Sequence, residues 1–150
     1  MEAFGRPHES LLVDDLRSAG KALISIVALV EGRVAGHILF SEVSLDPPCP
    51  GWKGLGLAPL AVSPTFQKRG VGTELVKSGI EACRREGWTS LFVLGDRAFY
   101  SRFGFVPAGR FGLDNIYGAD DAFMAMEILP GALGEKKGIV TYQREFESFS

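Results

Sequence analysis

The chain is poor in the residues that build metal centres and covalent cross-links, with 2 cysteines and 2 histidines among its 150 residues. Cys49 and Cys83 stand apart, with no CxxC pair and no histidine at ligand spacing, so neither a zinc site nor a disulfide scaffold is indicated. A reducing, cytoplasmic compartment is the expectation. An excess of one charge is missing as well: 16 Lys+Arg against 18 Asp+Glu leave a formal charge of -2. Proteins that coat nucleic acid or an anionic membrane need a sustained positive surplus, so neither partner is expected. Long apolar runs are absent too. The longest, Ala22 to Val30, falls far short of the roughly 20 residues that cross a bilayer, and no basic-then-apolar leader precedes it. No repeat, low-complexity tract or linker divides the chain. These limits leave a single soluble domain over residues 1–150, long enough to bury about 70% of the surface its unfolded chain exposes.

What is present is strong periodicity. Leu11, Leu12 and Leu16, with acids between them, predict a short amphipathic helix from Glu9 to Arg17 that Gly20 ends. Leu23 to Val30 and Val34 to Leu45, rich in Ile and Val and separated by Glu31-Gly32-Arg33, predict a hairpin of two strands. Asp46 to Gly54, with three prolines and two glycines, reads as a surface loop. Leu55 to Ser63 is an apolar strand interrupted by Pro59, which has no amide hydrogen and belongs at a bulge or at an unpaired ladder position. The apolar positions Val71, Leu75, Val76, Ile80 and Cys83 predict the principal helix from Gly70 to Glu86, stopped by Gly87. Leu91 to Leu94 follows as a buried strand. Strand, helix and strand in that order make a crossover unit with parallel strands, so the sheet is mixed. Arg97 to Phe103 predicts a short helix, and Phe105 to Pro107, Phe123 to Leu129 and Ile139 to Tyr142 are further strands.

The stretch from Leu60 to Thr73 runs from a strand through a tight turn into the start of the principal helix. Helix starts carry unpaired amide hydrogens and the positive end of the peptide dipoles. Gly70 and Gly72 remove side chains that would hold an anion away, and Lys68 and Arg69 add positive charge, which reads as a cradle for a diphosphate. Neither the P-loop pattern nor the dinucleotide fingerprint fits, because Gly-Lys-Ser/Thr is missing and Leu75 stands where the third glycine belongs. The bland alternative is a tight strand-to-helix connection that binds nothing.

Gln67-x-x-Gly70-x-Gly72 after an apolar strand resembles the acetyl-CoA loop of the GNAT N-acetyltransferases, and Leu94-Gly-Asp-Arg-Ala-Phe-Tyr-Ser-Arg-Phe-Gly-Phe105 resembles that family's second hallmark. The span from Leu23 to Phe105 fits the family, and Ala122 to Tyr142 resembles the tail of an uncharacterised bacterial subgroup of it. The resemblance implies the α/β GNAT fold: a mixed, mostly antiparallel sheet whose two central parallel strands splay around the pantetheine arm of acetyl-CoA. It implies that the main chain at Leu60, Ala61 and Val62 holds the pantetheine and polarises the thioester. The amides of Gln67, Lys68, Arg69, Gly70, Val71, Gly72 and Thr73 would take the diphosphate, and Tyr100 would be the acid for the leaving thiolate. Read from residues alone, Tyr100 equally packs its short helix against the sheet with Phe99 and Phe103.

By the same resemblance the reaction is direct attack of a primary amine, on a small molecule or a peptide, with acetyl-CoA as cosubstrate and no metal. A CoA-binding module that transfers nothing, and a thioesterase, are the rival readings. The strand Leu55 to Val62 carries no carboxylate, where several family members place a glutamate base, and this leaves Glu42, His37, Glu9 and His8 as open candidates. The acceptor pocket is expected from the first helix, the loop Asp46 to Gly54 and the segment Arg110 to Asp121. Against the family pattern, the first strand and most of the first helix are missing. An uncovered sheet edge invites pairing, so association into a homodimer or reduced stability is expected.

Overall fold

A computed structural model of the chain describes residues 11–16, 22–115, 122–134 and 138–142. The hairpin is the longest local feature: β2 (Ala22–Val30) and β3 (Arg33–Asp46) pair antiparallel around Glu31 and Gly32, both at positive φ. A two-residue connection of that hand matches the right-handed twist of the strands it joins. β4 (Gly54–Val62) pairs antiparallel with β3. Helix α1 (Val71–Arg85) crosses back to β5 (Ser90–Leu94), which pairs parallel with β4 as the crossover requires. The short helix α2 (Arg97–Ser101) leads to β6 (Val106–Pro107), β7 (Leu113–Asn115), β8 (Phe123–Glu127) and β9 (Gly138–Tyr142). The sheet runs from β1 through β2, β3, β4, β5 and β8 to β6, and the far half of β3 turns away to pair with β9.

The N-terminal segment corrects the sequence reading. Leu11–Leu16 is a strand, β1, paired antiparallel with β2 from Leu11↔Val30 to Leu16↔Ser25. LLVDDL offers a helical spacing as readily as a strand, and the edge of β2 decides between them, because pairing satisfies main-chain groups that a helix there would leave open. The edge of β2 is therefore covered, and β1 takes its place as the outermost strand of the sheet. Of the anticipated helix, residues 9, 10 and 17 lie outside the described residues.

Two cores flank the sheet. On one face Leu75, Val76 and Cys83 of α1 pack on Ile24, Ile26, Ile38 and Phe40. On the other, Val43, Leu45, Phe92, Phe123, Leu133 and Val140 form a second cluster. β5 is buried on both faces, which explains why SLFVL shows no alternation. Gly79 is required where α1 crosses β3, since a Cβ there would lie 2.5 Å from Cζ of Phe40.

Candidate active site

The site begins with an irregularity in β4. On β3 one residue lies between Ile38 and Phe40, while on β4 Ala58 and Pro59 lie between their partners Leu60 and Leu57. The extra residue is a bulge, and Pro59 sits in it, as its missing amide hydrogen demands. Pairing of β4 with β5 runs from Gly54↔Ser90 to Leu57↔Val93 and stops at the bulge. Beyond it the two parallel strands part. The amide of Ser63 donates to the carbonyl of Ala35 on β3. Alternation along an extended strand then turns the main chain of Ala61 toward β3 and that of Leu60 and Val62 toward the gap.

The gap widens into a cleft of about 730 Å³ lined by Leu60, Val62, Phe66, Gln67, Lys68, Gly70, Val71, Gly72, Thr73, Asp96, Phe99 and Arg102. Its floor is the start of α1. Gly70 caps the helix in the left-handed conformation, at φ 82, which a side chain would strain. The first helical bond runs from the Glu74 amide to the Gly70 carbonyl, so the amides of Val71, Gly72 and Thr73 have no partner within the helix. The Gln67 side-chain amide donates to the Val62 carbonyl at 3.2 Å, tying the turn to the end of β4.

Eight of the ten residues expected to hold the cofactor thus line one cleft. The remaining two do not: Ala61 turns to the other face, and the Arg69 guanidinium lies 5.3 Å from the Phe66 ring centre. Sequence reasoning left out Phe66, Asp96 and Phe99, and did not commit Arg102 to the site. Arg102 bridges the two helices, with one nitrogen donating to the Thr73 hydroxyl at 3.3 Å and its guanidinium 4.9 Å from the Phe99 ring centre. The spacing Phe99-x-x-x-Phe103, with Arg102 between, was the available signal for an aromatic shelf under a cation.

Tyr100 is buried beside this cleft rather than on its lining. Its ring packs edge-on against Phe99 and Phe105, and it lies so close over Gly95 that a Cβ there would come within 2.6 Å of Cε2. Asp96 caps α2 by accepting from the Ala98 amide at 3.0 Å. Burial, and secondarily the nearby Asp96 carboxylate, push the Tyr100 phenol up to about 12. It is therefore a neutral donor across the whole physiological range.

Of the open base candidates, His37 is half-buried on β3 and Glu42 is exposed on the same strand, while His8 and Glu9 lie outside the described residues. A second cavity, of about 310 Å³, is lined by Glu42 to Leu45, Pro48, Cys49 and Trp52. The Trp52 indole donates to the Val43 carbonyl at 2.8 Å and stacks on Phe92, which anchors the proline-rich loop. Asp114 is exposed, and residues 116–121 of the expected acceptor segment are outside the described residues. Among the described residues no group of acids, histidines and cysteines has the geometry of a metal site, and no helix is long and apolar enough to cross a membrane.

Comparison with known proteins agrees with this geometry. The family model described as "Acetyltransferase (GNAT) family" matches residues 1–105. The uncharacterised N-acetyltransferase YhbS of Escherichia coli K12 is 34% identical over 149 residues, covering 98% of this chain and 88% of that protein. YjhQ of the same strain, also an uncharacterised N-acetyltransferase, is 39% identical over 107 residues, 70% of this chain and 59% of its own. The crystal structure of E. coli YhbS in complex with CoA superposes with a TM-score of 0.87, over 97% of this chain and 96% of that one, at 25% identity in the superposition. A GNAT acetyltransferase from Brucella melitensis, solved with acetyl-CoA, shares the fold with a TM-score of 0.72 over 93% of this chain and all of its own. With the parted β4 and β5, the helix start beneath them and the family model over residues 1–105, the chain belongs to the GNAT N-acetyltransferase family.

Proposed function

We propose that the protein transfers acetyl from acetyl-CoA to a primary amine by direct attack, with the cofactor lying in the cleft between β4 and β5. The observation that carries this reading is the gap itself. Past Leu57, β4 presents main-chain groups to a space that an extended pantetheine arm would fill as an added strand, ending over the free amides of Val71, Gly72 and Thr73. The related YhbS was crystallised with CoA, which supports the same ligand here.

In the transfer, the amine lone pair attacks the thioester carbon, the C–N bond forms and the carbonyl oxygen takes up negative charge. The Leu60 amide faces that oxygen, and one fixed donor of this kind is worth about 3 to 4 kcal/mol in the transition state. Collapse breaks the C–S bond, with the electron pair leaving on sulfur. With its phenol at about 12, Tyr100 cannot hand its proton to a thiolate whose conjugate acid lies near ~8.5 without going uphill by roughly three to four units. From its place beside the cleft, Tyr100 can therefore act on the departing sulfur only as a hydrogen-bond donor, and solvent supplies the proton. The diphosphate rests on the α1 start, beside Lys68 and Arg102.

Thermal unfolding with CoA, acetyl-CoA and dephospho-CoA, read together with amine-dependent thiol release, tests the assignment. A ligand at one hundred times its dissociation constant stabilises the fold by about 2.7 kcal/mol, and a protein of this size then melts about 5 to 10 °C higher. The absence of any shift would show that the Gln67 to Thr73 turn is only a connection. A shift with no thiol release across a broad amine panel would favour a binding module.

A further inference from the structure

Along β4 no side chain can act as a base: Gly54 to Val62 is entirely apolar. A titratable side chain stands across from its far half, on the neighbouring strand. His37 stands directly opposite Ala61 in the β3–β4 ladder, within the stretch of β4 that faces the gap. Residues paired in this way share a face of the sheet, with Cα atoms about 5.5 Å apart when the pair is hydrogen-bonded.

The face can be assigned. A Cβ on Gly36 would lie 3.1 Å from Leu75 and 3.2 Å from Val71 of α1, so Gly36 is turned to the helix and His37 to the opposite side. Leu60 and Val62 pack on the α1-side core, whereas Ala61 is exposed. The cofactor cleft and α1 occupy the helix face of the gap. An amine must therefore approach the thioester from the other face, and Ala61, with a single methyl group, leaves that approach open beside the imidazole.

We propose that His37 is the general base of the transfer, removing the proton from the amine nitrogen as it attacks the thioester held at Leu60. The proposal rests on the acetyl-CoA reading above. As the C–N bond forms, the N–H proton passes to a ring nitrogen of His37, the C–S electrons leave with sulfur, and the imidazolium releases its proton to water.

The surroundings suit the role. The strands flanking His37 carry no charge of their own: β2 is Ala22 to Val30 without a titratable side chain, and β4 is apolar. On β3, Arg33 is engaged over the Phe66 ring at 5.4 Å, and Glu42 stands five positions along, opposite Leu55. On β1, Asp14 occupies the register position across Val27, which itself pairs with His37. Burial holds the imidazole pKa below its usual 6.5, so it is neutral and able to accept a proton at physiological pH.

The test measures acetyl-CoA turnover against pH for wild type, H37Q and H37A. The acceptor is whichever of benzylamine, spermidine and free lysine wild type uses fastest, or water where it uses none. A CoA-induced rise in melting temperature is recorded on the same samples. Wild type should lose kcat/KM, referred to the unprotonated acceptor so that the amine's own ionisation is removed, as pH falls below 6.5. H37Q should lose about 10²- to 10⁴-fold in rate and also the acid limb, with its CoA shift intact, and added imidazole should restore part of the H37A rate. A wild-type profile flat through the acid side overturns the proposal without any variant. So does an H37Q rate within about threefold of wild type. If wild type shows no CoA shift, the cofactor reading fails first and the base falls with it.

Discussion

Gly79 offers the sharpest test of how α1 is set on the sheet. Replacing it by alanine has two opposed effects. In an exposed helix interior the change stabilises by about 1 kcal/mol, because alanine loses less backbone freedom on folding. Here the new methyl would sit 2.5 Å from Cζ of Phe40 and closer still to Cε1, against about 3.4 to 4 Å for ordinary contact. Phe40 is fully buried, so neither ring nor helix has free space to retreat into. Overpacking at such a site costs up to about 3 kcal/mol, which leaves Gly79→Ala destabilising by about 2 kcal/mol. For a protein of this length the melting temperature should fall by about 4 to 8 °C. Leucine at position 40 lacks the two ring carbons in question, so in a Phe40→Leu background the same substitution should become stabilising by about 1 kcal/mol. A double-mutant cycle in urea then gives a coupling near ~3 kcal/mol. If Gly79→Ala raises the melting temperature of wild type, the close packing of α1 on β3 is wrong.

Tyr100→Phe should lower kcat about 10- to 100-fold, the worth of one hydrogen bond to a charged atom, while leaving the KM for acetyl-CoA nearly unchanged; an unchanged kcat would reduce Tyr100 to packing. The same variant carries a stability signature. The Tyr100 phenol is raised to about 12 in the folded chain, from 10.0, so between those values the unfolded state releases a proton that the folded state retains. Stability is complete below pH 10 and falls as pH rises toward 12, by at most about 1.4 kcal/mol per unit, and Tyr100→Phe should abolish that share of the slope in alkaline denaturation. Asp96→Asn keeps a good helix cap but removes the carboxylate, so ultraviolet titration should find the Tyr100 pKa lower at little cost in stability.

Local chemistry made several elements legible. Glu31-Gly32 announced the hairpin turn, the apolar spacing from Val71 to Cys83 gave α1, and Gly87, at φ 87, ends it. Pro59 was readable as a bulge because the missing amide hydrogen is a property of the residue itself. The tight turn into α1 was readable for the same reason, since Gly70 tolerates its left-handed conformation without strain. The segment Leu11–Leu16 was misread as helix. Its six residues fit two periodicities, and the partner that selects one of them, β2, enters only through the sheet.

The sequence by itself determined the order of elements from β2 to α2, the mixed sheet and the glycine-marked start of α1, because these depend on single residues and on spacing along the chain. The tertiary structure decided which faces meet. It turned Ala61 away from the gap, put Arg102 against Thr73, buried Tyr100 over Gly95 and set His37 opposite Ala61. Each of these joins residues from different elements, and strand register and face follow from the pairing of the assembled sheet rather than from any one segment.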